Sequence, residues 1–287
     1  MADRPRFGPA GFPSSYDLMS AALVDVPRLL RAEGLDALEY EAVRWGAKPQ
    51  IKSERAEELG RAAVENDVLL SVHGSYFINF GGDRATVEAS KRRLISCATA
   101  AEWMGAYVVV FHPGFYGGGL RSEVFRDCVD NLKDVVRKMN EAGLRKVRIG
   151  AETSGKPTQI GSLEDVLDIC SQVERTQLVI DWSHLHARDR GRFRSLKDFR
   201  RVLEIAEDRI GEEAVRDMHC HFSKIEFTEK GERRHHVLGE KGYGPDFESL
   251  ATLVVEFKLR PVFICESPLL NVDAMLMRDI YLRQVSG

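Results

Sequence analysis

Several things are scarce in this chain, and each scarcity removes a class of protein. The five cysteines (Cys97, Cys128, Cys170, Cys220, Cys265) are odd in number and never spaced Cys-x-x-Cys. That argues against a disulfide framework and a thiolate zinc knuckle, and it suits a reducing compartment. No apolar run approaches the roughly 20 residues that span a bilayer. The N-terminal stretch MADRPRFGPAGFP lacks the apolar core of a signal peptide. A cytoplasmic protein with no membrane partner is expected. Positive charge is not in excess either: 41 Lys and Arg face 44 Asp and Glu, a net charge of −3. Any nucleic-acid binding must therefore rest on a local patch. No low-complexity segment or Pro/Gly-rich linker divides the 287 residues.

What is present is an alternation of short apolar runs and amphipathic segments. The strand candidates are ALEYEAV (37–43), VLLSVHG (68–74), AYVVVFHP (106–113), KVRIGAE (146–152), QLVIDW (177–182), VRDMHCH (215–221) and PVFICES (261–267), with a weaker one at Arg6–Pro9. Residues 84–105 and 162–174 read as helices: Leu163, Val166, Leu167 and Cys170 recur at i, i+3, i+4 and i+7. Ser162 is placed to cap the second, and Gly105 and Gly143 to end helices before them. Eight strand–helix units of this kind predict a parallel sheet covered by helices. The expected fold is a single (β/α)8 TIM barrel over residues 1–287, with a doubly wound open sheet as the alternative.

The ionisable residues sharpen this. His73, His112, His184, His219 and His221 fall at or just past strand ends, and His186, His235 and His236 in the loops that follow. Glu152, Asp181 and Glu266 close three strands at the same level. Singly, each has a bland reading: a bonded structural histidine, a turn cap, one half of a buried ion pair. Together they do not. A carboxylate at the end of an apolar strand costs several kcal/mol to desolvate unless it is paired or bound to a cation. Three of them converging on a ring of histidines, without cysteine, suit Zn²⁺, Mn²⁺ or Fe²⁺. There are too many donors for one ion, so two or three metals are expected, an arrangement suited to phosphate-ester hydrolysis.

These motifs resemble endonuclease IV, the metal-dependent apurinic/apyrimidinic endonuclease family of the xylose-isomerase-like TIM barrels. The resemblance is carried in order by VHGSYFIN (72–79), FHPG (111–114), AETSG (151–155), IDWSH (180–184), MHCHF (218–222), RHHVLGE (234–240) and ICESP (264–268). The GPAGFP stretch departs from it and marks a divergent branch. The resemblance implies three zinc ions. His73 and His112 would hold the first, and Glu152 would bridge to a second completed by Asp181, His219 and Glu266, with His221 behind them. His184 and His235 would hold the third with a carboxylate that the family places two residues before the histidine. Arg233 stands there in this chain, so Glu232, three residues before His235, is expected to substitute through one residue of loop slack.

The implied reaction cleaves double-stranded DNA on the 5′ side of abasic sites, with Glu152 as the catalytic residue. A sugar or sugar-phosphate isomerase of the same barrel type is the alternative, and a non-catalytic metal-stabilised scaffold is third. The run HARDRGRFRSLKDFRR (186–201) follows the sixth strand and favours DNA: Arg188, Arg190 and Arg192 are candidate phosphate contacts. Arg44 and Arg233 join them. Part of the run can equally be the solvated face of the next helix. Tyr76 and Phe77 match the position where the family wedges side chains into the duplex, although SYFINF can also be read as packing.

Overall fold

Strand parity builds this fold. The computed structural model describes residues 4–18 and 22–286. Eight parallel strands form its centre: β1 (Arg6–Pro9), β2 (Ala37–Glu41), β3 (Leu69–His73), β4 (Val108–Phe111), β5 (Arg148–Ala151), β6 (Val179–Asp181), β7 (His219–Phe222) and β10 (Val262–Cys265). They pair as two arcs, β2-β3-β4-β5 and β1-β10-β7-β6. Bridges Ala10–Glu39 and Glu152–Val179 join the arcs on both sides, which closes the barrel. The parallel pairing and closure are those of a (β/α)8 barrel.

Alternate residues of each strand point to opposite faces. One set, including Leu38, Leu70, Val72, Val109, Phe111, Ile149, Ile180, Phe222 and Phe263, packs outward against the helices in a single large core. Each such buried side chain stabilises the fold by roughly 1.5–3 kcal/mol. The other set fills the barrel. Ala37, Val262 and Ile264 form one inner cluster, and Val108, Val110 and Val179 another. Continuing the inward parity up β2, β3, β5, β6 and β10 gives Glu41, His73, Glu152, Asp181 and Glu266, with Glu39 one layer below. The apolar floor of the barrel and its ionisable rim are therefore one pattern read at two heights.

The covering helices have the expected origins. Helix Arg121–Glu141 buries Cys128, Val129, Leu132, Val135, Val136 and Met139, one apolar stripe. Ser162 accepts from the Asp165 amide in a capping box before helix Leu163–Gln172. Gly105, at φ 68°, ends helix Arg84–Met104 in the left-handed conformation. Other segments differ from expectation. Val215 and Arg216 do not open a strand; they finish the short helix Glu212–Arg216, and β7 begins at His219. His186 is not in a loop, and His184, just past its strand as expected, is already helical. Asp181 caps helix Trp182–Arg188 directly after β6, its Oδ1 accepting from the His184 amide at 2.7 Å. His235 and His236 lie in an antiparallel hairpin, β8 (Lys224–Thr228) and β9 (Gly231–His236), which rises from the end of β7. Lys197, Arg200 and Arg201 belong to helix Leu196–Ile210, where Arg200 pairs with Glu256. No helix among the described residues is long and apolar enough to cross a membrane.

Candidate metal centre

Glu152 stands at the centre of the rim with no exposed surface. Its Oε2 lies 3.3 Å from His73 Nε2 and 3.4 Å from His112 Nε2. Its Oε1 lies 3.1 Å from His184 Nδ1 and 3.3 Å from His221 Nδ1. Around it the donors fall into overlapping groups, each with its ligand atoms within 4.8 Å of one another: His73, His112 and Glu152; Glu152, Asp181, His221 and Glu266; His184, His235 and Glu266; and a deeper set of Glu39, His73 and His221.

The hydrogen bonds behind the rings fix which nitrogen faces inward. His73 Nδ1 meets the Gly74 carbonyl at 3.0 Å, and His184 Nδ1 meets the Thr153 carbonyl at 3.0 Å. A carbonyl only accepts, so both Nδ1 atoms carry the proton. Ser154 and Ser223 donate their own hydroxyl protons to the Ile160 and Lys224 carbonyls. They therefore accept from His112 Nδ1 at 3.2 Å and His235 Nδ1 at 2.7 Å. Four imidazoles are thus held with Nε2 turned to the rim, the arrangement by which proteins orient metal-binding histidines.

The charges fit a cation. Burial opposes ionisation of Glu152, yet His112, His221 and His184 hold it well below the usual carboxylate range. Burial also opposes the charged form of His73, but Glu152 and Glu41 raise it to about 10. A buried carboxylate that needs positive charge beside it is one that a bound cation would satisfy. Asp181 is the exception. Burial raises it to about 8 against the pull of His184, with Glu266 and Glu152 adding to the rise. Its Oδ2 is buried and accepts no hydrogen bond. One oxygen of Asp181 thus makes the cap, and the other is left without a hydrogen bond.

The hairpin answers the question posed by Arg233. Glu226 pairs with Arg234, while the next residue, Phe227, pairs with Glu232, so Arg233 is an extra residue in β9. Such a bulge shifts the alternation by one. Glu232 and His235, three apart, therefore both face the rim, and Glu232 Oε2 reaches 3.3 Å from His184 Nε2. Arg233 turns outward to Glu226 at 2.6 Å. Gly155 makes room: its amide donates to Glu232 Oε2 at 3.1 Å, and a Cβ there would overlap that oxygen. Glu232→Gln is expected to lower the metal content by one ion per chain, whereas Arg233→Ala leaves it unchanged; elemental analysis after desalting checks both.

Two residues exchange the positions expected of them. His219, expected beside Asp181 and Glu266, sits one layer deeper, with Nδ1 at 2.5 Å from the Tyr107 hydroxyl and Nε2 at 3.2 Å from Glu39. His221 takes the rim position, Nδ1 lying 3.1 Å from Glu266 Oε1. Both face inward from β7, and two residues of rise separate them. Glu39 and Glu41 escaped sequence reading, although carboxylates at alternate positions of ALEYEAV were a signal. Burial raises Glu41 to about 7 against the pull of His73. His186 lies on the far side of its helix from His184, against Phe193 and Phe227, and His236 stacks on Tyr243.

The surrounding surface is mixed. Tyr76 and Phe77 are 61% and 59% exposed, with Tyr76 edge-on to His73 and the Arg93 guanidinium 5.9 Å from the centre of the Phe77 ring. Arg44, Arg190 and Arg192 are exposed, Arg192 pairing with Asp189 at 3.1 Å. Arg188 is not free for phosphate. Its half-buried guanidinium donates to the carbonyls of Ser154, Lys156 and Gln159, bracing the loop after β5.

An eight-stranded parallel barrel that gathers histidines and carboxylates at the C-terminal ends of its strands defines a class of barrel enzymes. The chain belongs to the xylose isomerase-like TIM barrel family, which it matches over residues 27–277. It is 33% identical over 276 residues, 96% of both chains, to an uncharacterized protein of Methanocaldococcus jannaschii. It is 26% identical over 276 residues to a probable endonuclease 4 of Shouchella clausii, covering 90% of this chain and 91% of that one. Among solved structures, endonuclease IV from Thermus thermophilus superposes with a TM-score of 0.67 at 20% identity, covering 92% of this chain and 94% of that one. D-psicose 3-epimerase from Clostridium cellulolyticum superposes at 0.64 with 13% identity and the same coverage. At these identities the superpositions show a shared fold.

Proposed function

We propose that the protein is a metal-dependent phosphodiesterase that cleaves double-stranded DNA on the 5′ side of abasic sites, with zinc as the metal and Mn²⁺ or Fe²⁺ as substitutes. The observation that carries this reading is the set of overlapping donor groups around Glu152 and Glu266, more than a single ion can use. His73, His112 and Glu152 would hold one ion; Glu152, Asp181, His221 and Glu266 a second; His184, His235 and Glu232 a third. Bound there, such ions supply the Lewis acidity that activates water and neutralises a phosphate under attack.

The chain's own residues do the rest. Glu152 ties the first two groups together. The hydroxyls of Ser154 and Ser223 and the carbonyls of Gly74 and Thr153 lock the imidazoles, so that no ring has to turn on binding. Tyr76 and Phe77 present aromatic faces beside the rim, suited to filling the gap left by a missing base. Arg44, Arg190, Arg192 and Arg233 supply phosphate contacts, and affinity for duplex DNA is expected to fall steeply with salt. The double substitution Tyr76→Ala, Phe77→Ala is expected to weaken binding of abasic duplex by roughly 1–3 kcal/mol per ring, the scale of base–aromatic stacking. Metal content should not change, and fluorescence anisotropy at fixed salt measures the effect.

A second reading rests on the four-donor group alone. Glu152, Asp181, His221 and Glu266 would suffice for a one-metal sugar epimerase. Incubating metal-loaded protein with a duplex carrying one tetrahydrofuran abasic analogue separates the two. Incision leaving a 3′-hydroxyl supports the endonuclease. An intact duplex with interconversion of ketoses supports the epimerase.

A further inference from the structure

Beneath the rim lies a buried polar chain that meets the proposed metal centre only through His221. Glu39, His219 and His221 have no exposed surface, and Ser71 is buried with them. Ser71 Oγ donates to Glu39 Oε2 at 2.7 Å. His219 Nε2 lies 3.2 Å from that same oxygen, and the Tyr107 hydroxyl is 2.5 Å from His219 Nδ1. Glu39 Oε1 is buried with no hydrogen bond made to it, and His221 Nε2 lies 2.9 Å away, itself 3.2 Å from His219 Nε2. His221 thus stands between carboxylates, with Nδ1 toward Glu152 and Glu266 and Nε2 toward Glu39.

A metal-bound ring nitrogen carries no proton, so the other nitrogen must hold it and needs an acceptor. For His221 the carboxylate on the far side of the ring from the rim is Glu39. We propose that Glu39 is a positioning residue: it accepts the Nε2 proton of His221 and thereby turns a bare Nδ1 to the metal held by Glu152, Asp181 and Glu266. Ser71, and His219 with Tyr107 behind it, hold Glu39 in place from below. The inference rests on the metal-centre reading and adds to it. It assigns opposite coordinating nitrogens on the same rim, Nδ1 for His221 and Nε2 for His73, His112, His184 and His235. It also explains why an apolar strand carries a carboxylate two residues below its end.

Substituting Gln at this position keeps the shape but leaves one acceptor oxygen, and its amide nitrogen can only donate. Two Nε2–H groups then cannot both be satisfied. Glu39→Gln is expected to weaken zinc binding at this site 10–100-fold, the scale seen when a carboxylate behind a metal-bound histidine is lost. Glu39→Asp should restore part of the loss.

The deciding measurement uses unaltered, zinc-loaded protein labelled with ¹⁵N-histidine. Multiple-bond ¹H–¹⁵N spectra should show His221 coordinated through Nδ1 with a proton on Nε2. This result does not depend on whether Glu39→Gln folds. Zinc bound with His221 coordinating through Nε2, together with Glu39 in the deeper donor group, would overturn this proposal and leave the reading of a metal centre standing. Unchanged zinc affinity in a folded Glu39→Gln protein would also overturn it. A protein that takes up no zinc at all would overturn both readings.

Discussion

Glu152→Gln is expected to lower incision at abasic sites by more than about a thousandfold, about 4 kcal/mol of barrier, with the barrel still folded. The reason is how many groups depend on one carboxylate. Both oxygens are buried, and together they approach four imidazoles, His73, His112, His184 and His221, within 3.1–3.4 Å. An amide keeps the volume but loses the charge and one of the two acceptors. Its NH₂ cannot ligate a metal and would donate to the free lone pairs of His73 Nε2 and His112 Nε2, occupying the atoms a metal needs. Two donor groups are then lost at once. Incision kinetics on a tetrahydrofuran duplex, beside a thermal melt of the variant, test this. Near wild-type turnover would show that Glu152 is not the hub.

Removing the metals is expected to lower the melting temperature by roughly 8 °C. Ligand binding at a thousand times its Kd stabilises a fold by about 4 kcal/mol, and a domain of this size shifts by roughly 2 °C per kcal/mol. The effect follows from the buried rim: without cations, Asp181 keeps an oxygen that accepts no hydrogen bond. The remaining carboxylates then rely on protonated imidazoles, whose charge burial opposes. Melts with and without chelator, followed by restoration with Zn²⁺, measure the shift. An unchanged melting temperature in fully metal-depleted protein would contradict the metal-centre reading.

The barrel was legible in the sequence because parallel strands buried on both faces read as short apolar runs, and eight of them fill the chain. The rim was legible for a related reason. Charged residues at the ends of such runs have few places to go, and His73, His112, Glu152, Asp181 and Glu266 are where strand ends put them. The rest depended on features that periodicity does not carry. His219 and His221 share a face, and which of them reaches the rim is set by the stagger between neighbouring strands, visible only once Ile264 pairs with His221. Where Glu232 points turned on a single bulge. The slack inferred from the spacing is real, but it is a paired strand with one residue extruded. Arg188 looked like its neighbours in a basic run, yet the helix begun by the Asp181 cap carries it back into the loop after β5. Glu39 lies inside its strand rather than at the end, so only its alternation with Glu41 marked it.

The most direct test is a metal count with positions, by elemental analysis and anomalous scattering on protein loaded with zinc. Three ions are expected: one at His73, His112 and Glu152, one at Glu152, Asp181, His221 and Glu266, and one at His184, Glu232 and His235. A single ion per chain, held by the four-donor group alone, would contradict the multinuclear site.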